Sequence, residues 1–139
     1  MQELNGFNVR VYAVCVQDGQ LLTLVEPFAG NMVRKLPGGG LEFGEGPVDC
    51  LHREFLEELN LEIEVQDAFY IQEQFVNSLV KNQKQIVMLY FKVKILNLEQ
   101  MQILDPNIKA AEWVPINDEC KLTLPVDQMM YRKLLAQGF

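Results

Sequence analysis

The stretch Gly38–Leu61, GGGLEFGEGPVDCLHREFLEELNL, passes from three consecutive glycines into a run holding Glu42, Glu45, Glu54, Glu57 and Glu58. Pro47 suits the first turn of a helix and an extended segment begins at Leu61, so the spacing predicts a helix over residues 47–59. At about 100° per residue, Glu54, Glu57 and Glu58 fall on one face roughly 100° wide. Val48, Leu51, Phe55, Leu56 and Leu59 form a separate apolar stripe, and His52 lies on its side, where it reads as a packing residue. Three Glu on an arbitrary helix are most simply a solvated face. Here the crowding argues further. Like charges about 6 Å apart at an effective dielectric near 20 repel by roughly 3 kcal/mol, less when exposed, unless a cation offsets them. Clustered carboxylate oxygens suit Mg²⁺ or Mn²⁺, which keep waters for a phosphate ligand. The Gly38–Gly40 segment reads as a turn whose backbone approaches such a site where a Cβ would intrude.

The remainder of the chain bounds these readings. Its 139 residues, 49% hydrophobic and 22% charged, fit one domain over 1–139 with a core that needs no staples. No apolar run approaches the roughly 18 residues of a membrane span, and MQELNGFNVR lacks the pattern of a secretory signal, so a cytoplasmic protein without a membrane partner is expected. Cys15, Cys50 and Cys120 lie far apart without CxxC spacing and read as reduced, partly buried thiols. A net charge of -7 speaks against duplex nucleic acid, whose binding needs Lys and Arg to displace counterions; a small anionic substrate bridged by cations remains compatible.

Along the chain, residues 8–17 alternate, Asp18-Gly19 turns, and Leu21 to Val25 reads as the returning arm of a hairpin. Strands are predicted at Met32 to Leu36, Ile63 to Phe75, Gln85 to Ile95 and Ala111 to Val114, the middle pair joined by the polar stretch Asn77 to Gln83. A final amphipathic helix runs from Pro125 to Gln137, apolar at Val126, Met129, Met130, Leu134 and Leu135. This order gives an α+β class with an α/β/α layering.

Gly39, five residues, Glu45, seven residues, then Arg53-Glu54-Phe55-Leu56-Glu57-Glu58-Leu59-Asn60-Leu61 resembles the Nudix box, G-x5-E-x7-R-E-U-x-E-E-x-G-U, with U a bulky apolar residue. The fixed letters Gly39, Glu45, Arg53, Glu54, Glu57 and Glu58 match in identity and spacing, an accident expected at on the order of 1 in 10 million positions. Leu36-Pro37-Gly38-Gly39 and Glu42-x-Gly44-Glu45 resemble the usual approach to the box. Asn60 replaces the late glycine; Asn tolerates the left-handed conformation that ends a helix there.

The resemblance implies a Nudix-type α/β/α sandwich with a mixed β-sheet between helices. It also implies hydrolysis of a phosphoanhydride in a nucleoside diphosphate linked to another moiety, with Mg²⁺ or Mn²⁺ as cofactor. Glu54, Glu57 and Glu58 would hold metal with the Gly39 carbonyl, Glu54 being first choice for general base although the base varies within the family. Arg53 and Glu45 would orient the acids. Glu112 is a candidate metal ligand or base, or an ordinary strand carboxylate. Arg34 and Lys35, with the Gly38 and Gly39 backbone, are candidates to meet substrate phosphate, against plain solvation; Arg10 is a weaker one. Trp113 reads as a half-buried packing residue, while Tyr70, Phe75 and Tyr90 are stacking candidates or core.

No proline follows Pro47 before Pro106, the SQPWPFPxS run is absent, and Asn77-Ser78-Leu79 lacks a tyrosine. These absences leave a MutT-like hydrolase of nucleoside triphosphates or nucleotide sugars as the favoured reading, ADP-ribose being demoted. The rival is a Nudix domain without activity that senses nucleotides or binds protein. Such sensors are commonly fused to another domain, and the complete acid set here favours the enzyme. The long strands from Ile63 to Ile95 offer surface for a homodimer.

Overall fold

The computed structural model describes residues 3–77 and 82–138; the marker position Ser78-Leu79, and with it most of the polar connection, lies outside them. Two helices enclose two four-stranded sheets. The strands are β1 (Gly6–Val14), β2 (Val16–Gln17), β3 (Gln20–Phe28), β4 (Asn31–Lys35), β5 (Gly38–Gly40), β6 (Ile63–Ile71), β7 (Lys84–Ile95) and β8 (Ala110–Pro115); the helices are α1 (Pro47–Leu59) and α2 (Pro125–Gln137). One sheet has the order β5-β1-β7-β6; in the other β3 is central, pairing with β2, β4 and β8. The first is mixed, since β1 runs parallel to β7 while its other pairings are antiparallel.

Strand alternation explains the layers. Successive side chains on a strand point to opposite faces, and β1 is buried on both. Val11, Ala13 and Cys15 pack with Cys50, Leu51, Phe55 and Leu59 of α1, whereas Tyr12 and Val14 pack with Val126, Met130, Tyr131 and Leu134 of α2. Removing a side chain the size of Phe55 from water contributes about 2 kcal/mol. The expected α/β/α sandwich is thereby present, and both helices end where the sequence places them.

Several local expectations are corrected. The hairpin is vestigial: Val16 and Gln17 pair with Leu21 and Gln20, while β1 leaves for the other sheet. A parallel partner in β7, distant in sequence, takes β1 into a sheet whose two faces are covered by α1 and α2. The three glycines form the short edge strand β5, opposite Arg10, Val11 and Tyr12, instead of a turn. β6 stops at Ile71, short of Phe75, which is exposed. On α1, Val48 and Leu56 are exposed large apolar residues and His52 is exposed; the face that packs is the narrower one through Cys50, Leu51, Phe55 and Leu59. On α2, Met129 and Leu135 are half-buried while Asp127 is buried at 1% exposure. Of the cysteines, Cys15 and Cys50 are buried and Cys120 is exposed, all free thiols.

Candidate active site

Helix α1 carries the acids, and its two ends show why it starts and stops there. Pro47 opens the first turn, and the Gly46 N–H donates to Asp49 Oδ2 at 2.9 Å, satisfying a donor the helix leaves orphaned. At the other end Asn60 takes φ 57° and ψ 36°, the left-handed cap predicted for the position where the Nudix box has glycine. Its side chain adds a hydrogen bond to the Gln100 carbonyl at 3.3 Å.

Arg53 is the centre of the cluster. Its Nε and Nη2 donate to the two oxygens of Glu45 at 3.0 and 2.7 Å, a fork matched to a carboxylate. Nη1 donates to Glu54 Oε1 at 2.9 Å and Glu57 Oε2 at 3.2 Å, Nη2 also reaches the Gly40 carbonyl at 3.0 Å, and Glu42 Oε2 stands 3.5 Å from Nε. One guanidinium therefore contacts Glu54 and Glu57 while being held by Glu45. The hydrogen bonds from Arg53 pull the Glu45 carboxyl down to about 2. Glu58 behaves oppositely: burial, then the adjacent Glu54 carboxylate, push its carboxyl well above the ordinary range.

The glycines let the acids approach. A Cβ on Gly39 would lie 2.5 Å from Glu54 Oε1, and one on Gly38 would lie 2.1 Å from the Val11 carbonyl oxygen, at φ +142°. β5 can therefore pass between β1 and the acid face of α1 only as bare backbone. The Cys50 thiol lies 3.8 Å from the Gly39 carbonyl and 3.6 Å from that of Gly40, a contact the sequence reading missed; a Cys three residues before Arg53 on the packed face was its only signal.

The cations before the glycines are placed differently from one another. Arg34 donates to Thr23 Oγ1 and to Glu112 Oε1, both at 2.9 Å. Glu112 is thus engaged with Arg34 on the β3-centred sheet and makes no contact of that kind with Glu54, Glu57 or Glu58. Lys35 is buried, 3.0 Å from Glu26 Oε1 and over the Tyr12 ring at 5.4 Å. Burial disfavours its charge, but Tyr12 and Glu26 together outweigh that and its ammonium is held above its usual value. Arg10 donates to the Tyr12 hydroxyl at 2.6 Å. Trp113 packs half-buried against the α1-side core, and Tyr90 is wholly buried, its ring 5.8 Å from Tyr12 and 5.9 Å from Tyr70; it is core and not a platform for a base.

Carboxylates of one helix face are thus anchored by an arginine fork and lie against a glycine strand in an α/β/α sandwich. Residues 5–135 match the NUDIX domain, and the chain belongs to that family. It is 28% identical over 113 residues, 73% of this chain and 71% of the relative, to an RNA pyrophosphohydrolase of Helicobacter pylori strain G27. Among solved structures it resembles a NUDIX hydrolase from Nitrosomonas europaea, with TM-score 0.77, 24% identity and coverage of 94% of this chain and 89% of that one. It also resembles an ADP-ribose pyrophosphatase from Streptococcus suis, with TM-score 0.69, 19% identity and coverage of 95% and 92%. The chain is an enzyme of the Nudix pyrophosphohydrolase type, and no helix among the described residues is long and apolar enough to cross a membrane.

Proposed function

We propose that this chain hydrolyses a phosphoanhydride in a nucleoside diphosphate linked to a further group, a nucleoside triphosphate or nucleotide sugar, with Mg²⁺ or Mn²⁺ as cofactor. The observation that carries the reading is the single face of α1 that bears Glu54, Glu57 and Glu58, with Arg53 bonded to the first two and Gly39 against Glu54. The donor set fits a hard cation. It offers oxygen atoms only, Arg53 occupies one oxygen each of Glu54 and Glu57, and Glu58, raised first by burial and then by the neighbouring Glu54 carboxylate, is a group whose charged form a divalent ion would favour. In the side-chain arrangement described, no three acidic, Cys or His groups already close around one point; Glu54, Glu57 and Glu58 would hold the ion with the Gly39 carbonyl beside them. When bound, such an ion polarises phosphate oxygens and makes a bound water more acidic.

The protein's own part is positional. Arg53 fixes the Glu54 carboxylate beside β5, where it is our choice to accept the proton of the attacking water. Gly38 and Gly39, whose missing side chains let β1 and Glu54 approach, are our choice of backbone to meet the substrate phosphates. Glu112, tied to Arg34, is assigned the outer rim, from which it reaches phosphate or metal only by leaving that ion pair. Phosphoryl transfer asks little more of a protein than placement and charge.

The test is a screen of purified protein with Mg²⁺ or Mn²⁺ against nucleoside triphosphates, nucleotide sugars, ADP-ribose, dinucleoside polyphosphates, NADH and a 5′-triphosphorylated oligonucleotide. The last is included because of the H. pylori relative. Glu57→Gln and Glu58→Gln are run alongside and are expected to lose at least about a hundredfold in rate. Variants as active as the wild type would remove the metal assignment, and silence on every compound would favour a nucleotide sensor.

A further inference from the structure

β5 is three glycines long and lies at the edge of its sheet, paired with β1. Glycine has more backbone freedom to lose than any other residue, and β5 has no side chain by which a neighbour could hold it. Its backbone is the only handle, and two side chains of α1 take it. Arg53 Nη2 donates to the Gly40 carbonyl at 3.0 Å. Cys50 Sγ stands 3.6 Å from that same carbonyl and 3.8 Å from the Gly39 carbonyl, within reach of a thiol donor.

Cys50 also receives. Arg53 Nη2 lies 3.7 Å from its Sγ, so one sulfur accepts from the guanidinium and donates to the glycine strand. Residues three apart share a face of a helix, which sets the thiol one turn before Arg53 and against the same backbone. Cys50 is 0% exposed; with water excluded, the weak hydrogen bonds of sulfur gain strength.

Cys15 supplies the comparison within the molecule. It is buried to 2% exposure in the same core cluster, yet its thiol has no hydrogen-bond partner among the described residues. Cys15 fills space. Cys50 is tied to the arginine of the acid cluster and to two carbonyls of the strand beside it.

We infer that Cys50 is a positioning residue of this enzyme: its thiol pins the Gly39–Gly40 backbone to α1 and so fixes the gap between that backbone and the carboxylates of Glu54 and Glu57. Glu54 feels the gap most directly, since a Gly39 Cβ would already stand 2.5 Å from its Oε1, and Arg53 carries the same contact on to Glu57. The functional part of the inference rests on the proposed chemistry, in which those carboxylates hold the ion with the Gly39 carbonyl beside them. An ion such as Mg²⁺ demands ligand distances of about 2.0–2.1 Å, so a strand free to drift by a fraction of an ångström loses affinity for it.

Cys50→Ala, Cys50→Ser and Cys15→Ala are compared with wild type by three readings. These are amide hydrogen exchange of residues 38–41 in metal-free protein, Mn²⁺ affinity from the electron paramagnetic resonance signal of unbound Mn²⁺, and hydrolysis resolved into kcat and KM on the anhydrides the screen finds. Cys50→Ala is expected to speed exchange across residues 38–41 at least about fivefold, to weaken Mn²⁺ by about the same factor, and to lower kcat with KM less affected. Cys15→Ala, which also empties a buried site, is expected to lower the melting temperature comparably and to leave all three readings within about twofold of wild type. Cys50→Ser restores a donor and an acceptor in the same place and is expected to recover most of what alanine loses. Exchange and Mn²⁺ affinity in Cys50→Ala matching those of Cys15→Ala would overturn the inference, as would a serine variant no better than alanine. Should Cys50→Ser fail to fold, infrared difference spectra of wild type against each alanine variant replace it: an S–H stretch of Cys50 at lower frequency than that of Cys15 supports the thiol pin, and equal frequencies refute it. A wild type that binds no Mn²⁺ and cleaves nothing, with exchange at residues 38–41 faster only in Cys50→Ala, would remove the proposed function and leave the pin standing. Mn²⁺-dependent hydrolysis indifferent to Cys50→Ala would do the reverse.

Discussion

At Gly39 a single methyl group is enough to disturb the acid cluster, because its Cβ would stand 2.5 Å from a Glu54 oxygen. Gly39→Ala is expected to displace Glu54, lower the hydrolytic rate by at least about tenfold and cost on the order of 1–3 kcal/mol in overpacking, read by a rate assay and a denaturant melt. A variant of wild-type rate would show that Glu54 does not need its present position. Arg53→Lys keeps the charge and loses the fork to Glu45; a stability loss of about 1–3 kcal/mol together with a fall in rate is expected, since lysine cannot serve both oxygens of Glu45 and still reach Glu54 and Glu57. Glu45 itself sets an acid limit. Its folded carboxyl is held at about 2, below the ordinary value, so its contribution is complete above about pH 4.5 and fades as pH falls toward 2. Glu45→Gln is expected to flatten the melting temperature across that window while lowering it at neutral pH.

At the scale of elements, the ends of α1 were written in the chain and its packed face only partly so. Pro47 and Asn60 mark termini by local chemistry, and Asn60→Gly is expected to alter stability by less than about 1 kcal/mol, whereas Asn60→Val, forcing a β-branched residue to φ 57°, is expected to cost more; paired denaturant melts decide it. The acid face and the arginine–glutamate link were legible because they rest on spacing within one helix and on a motif match. His52 and Leu56 were misplaced because periodicity states which residues share a face, not how much of it a neighbouring strand covers. The Gly38–Gly40 segment is the clearest case: the residues read as a turn, and only the ladder to β1 makes them a strand. The hairpin failed for the same reason, a distant partner outweighing a local turn.

Across the whole molecule, the features invisible in sequence are those assembled from distant segments. Arg10, Lys35 and Asp127 come from β1, β4 and α2, and neither spacing nor periodicity relates them. Asp127 looks like a first-turn helix acid, yet it is buried against Tyr90; burial, only partly countered by Tyr90, Lys35 and Arg10, raises its carboxyl to about 6. The folded value is above the ordinary one, so the protein is favoured at low pH and loses stability as pH rises from about 4 through about 6. The difference is roughly 3 kcal/mol at most. Asp127→Asn keeps an acceptor for Tyr90 and removes the charge, so its stability relative to wild type is expected to improve by up to about that amount between pH 4 and pH 7. A mutant-to-wild-type gap independent of pH would contradict this.

The chain by itself determined the family resemblance, the two helices with their ends, the acid face and the glycines beside it, because each depends on neighbours within a turn or two or on a motif of fixed spacing. Tertiary structure decided which strand β1 joins, that Glu112 is tied to Arg34 and Lys35 to Glu26, and that Asp127 is buried against Tyr90. Those outcomes are contacts between segments far apart in sequence, chosen by which pairing buries the most apolar surface, and no local pattern encodes that competition.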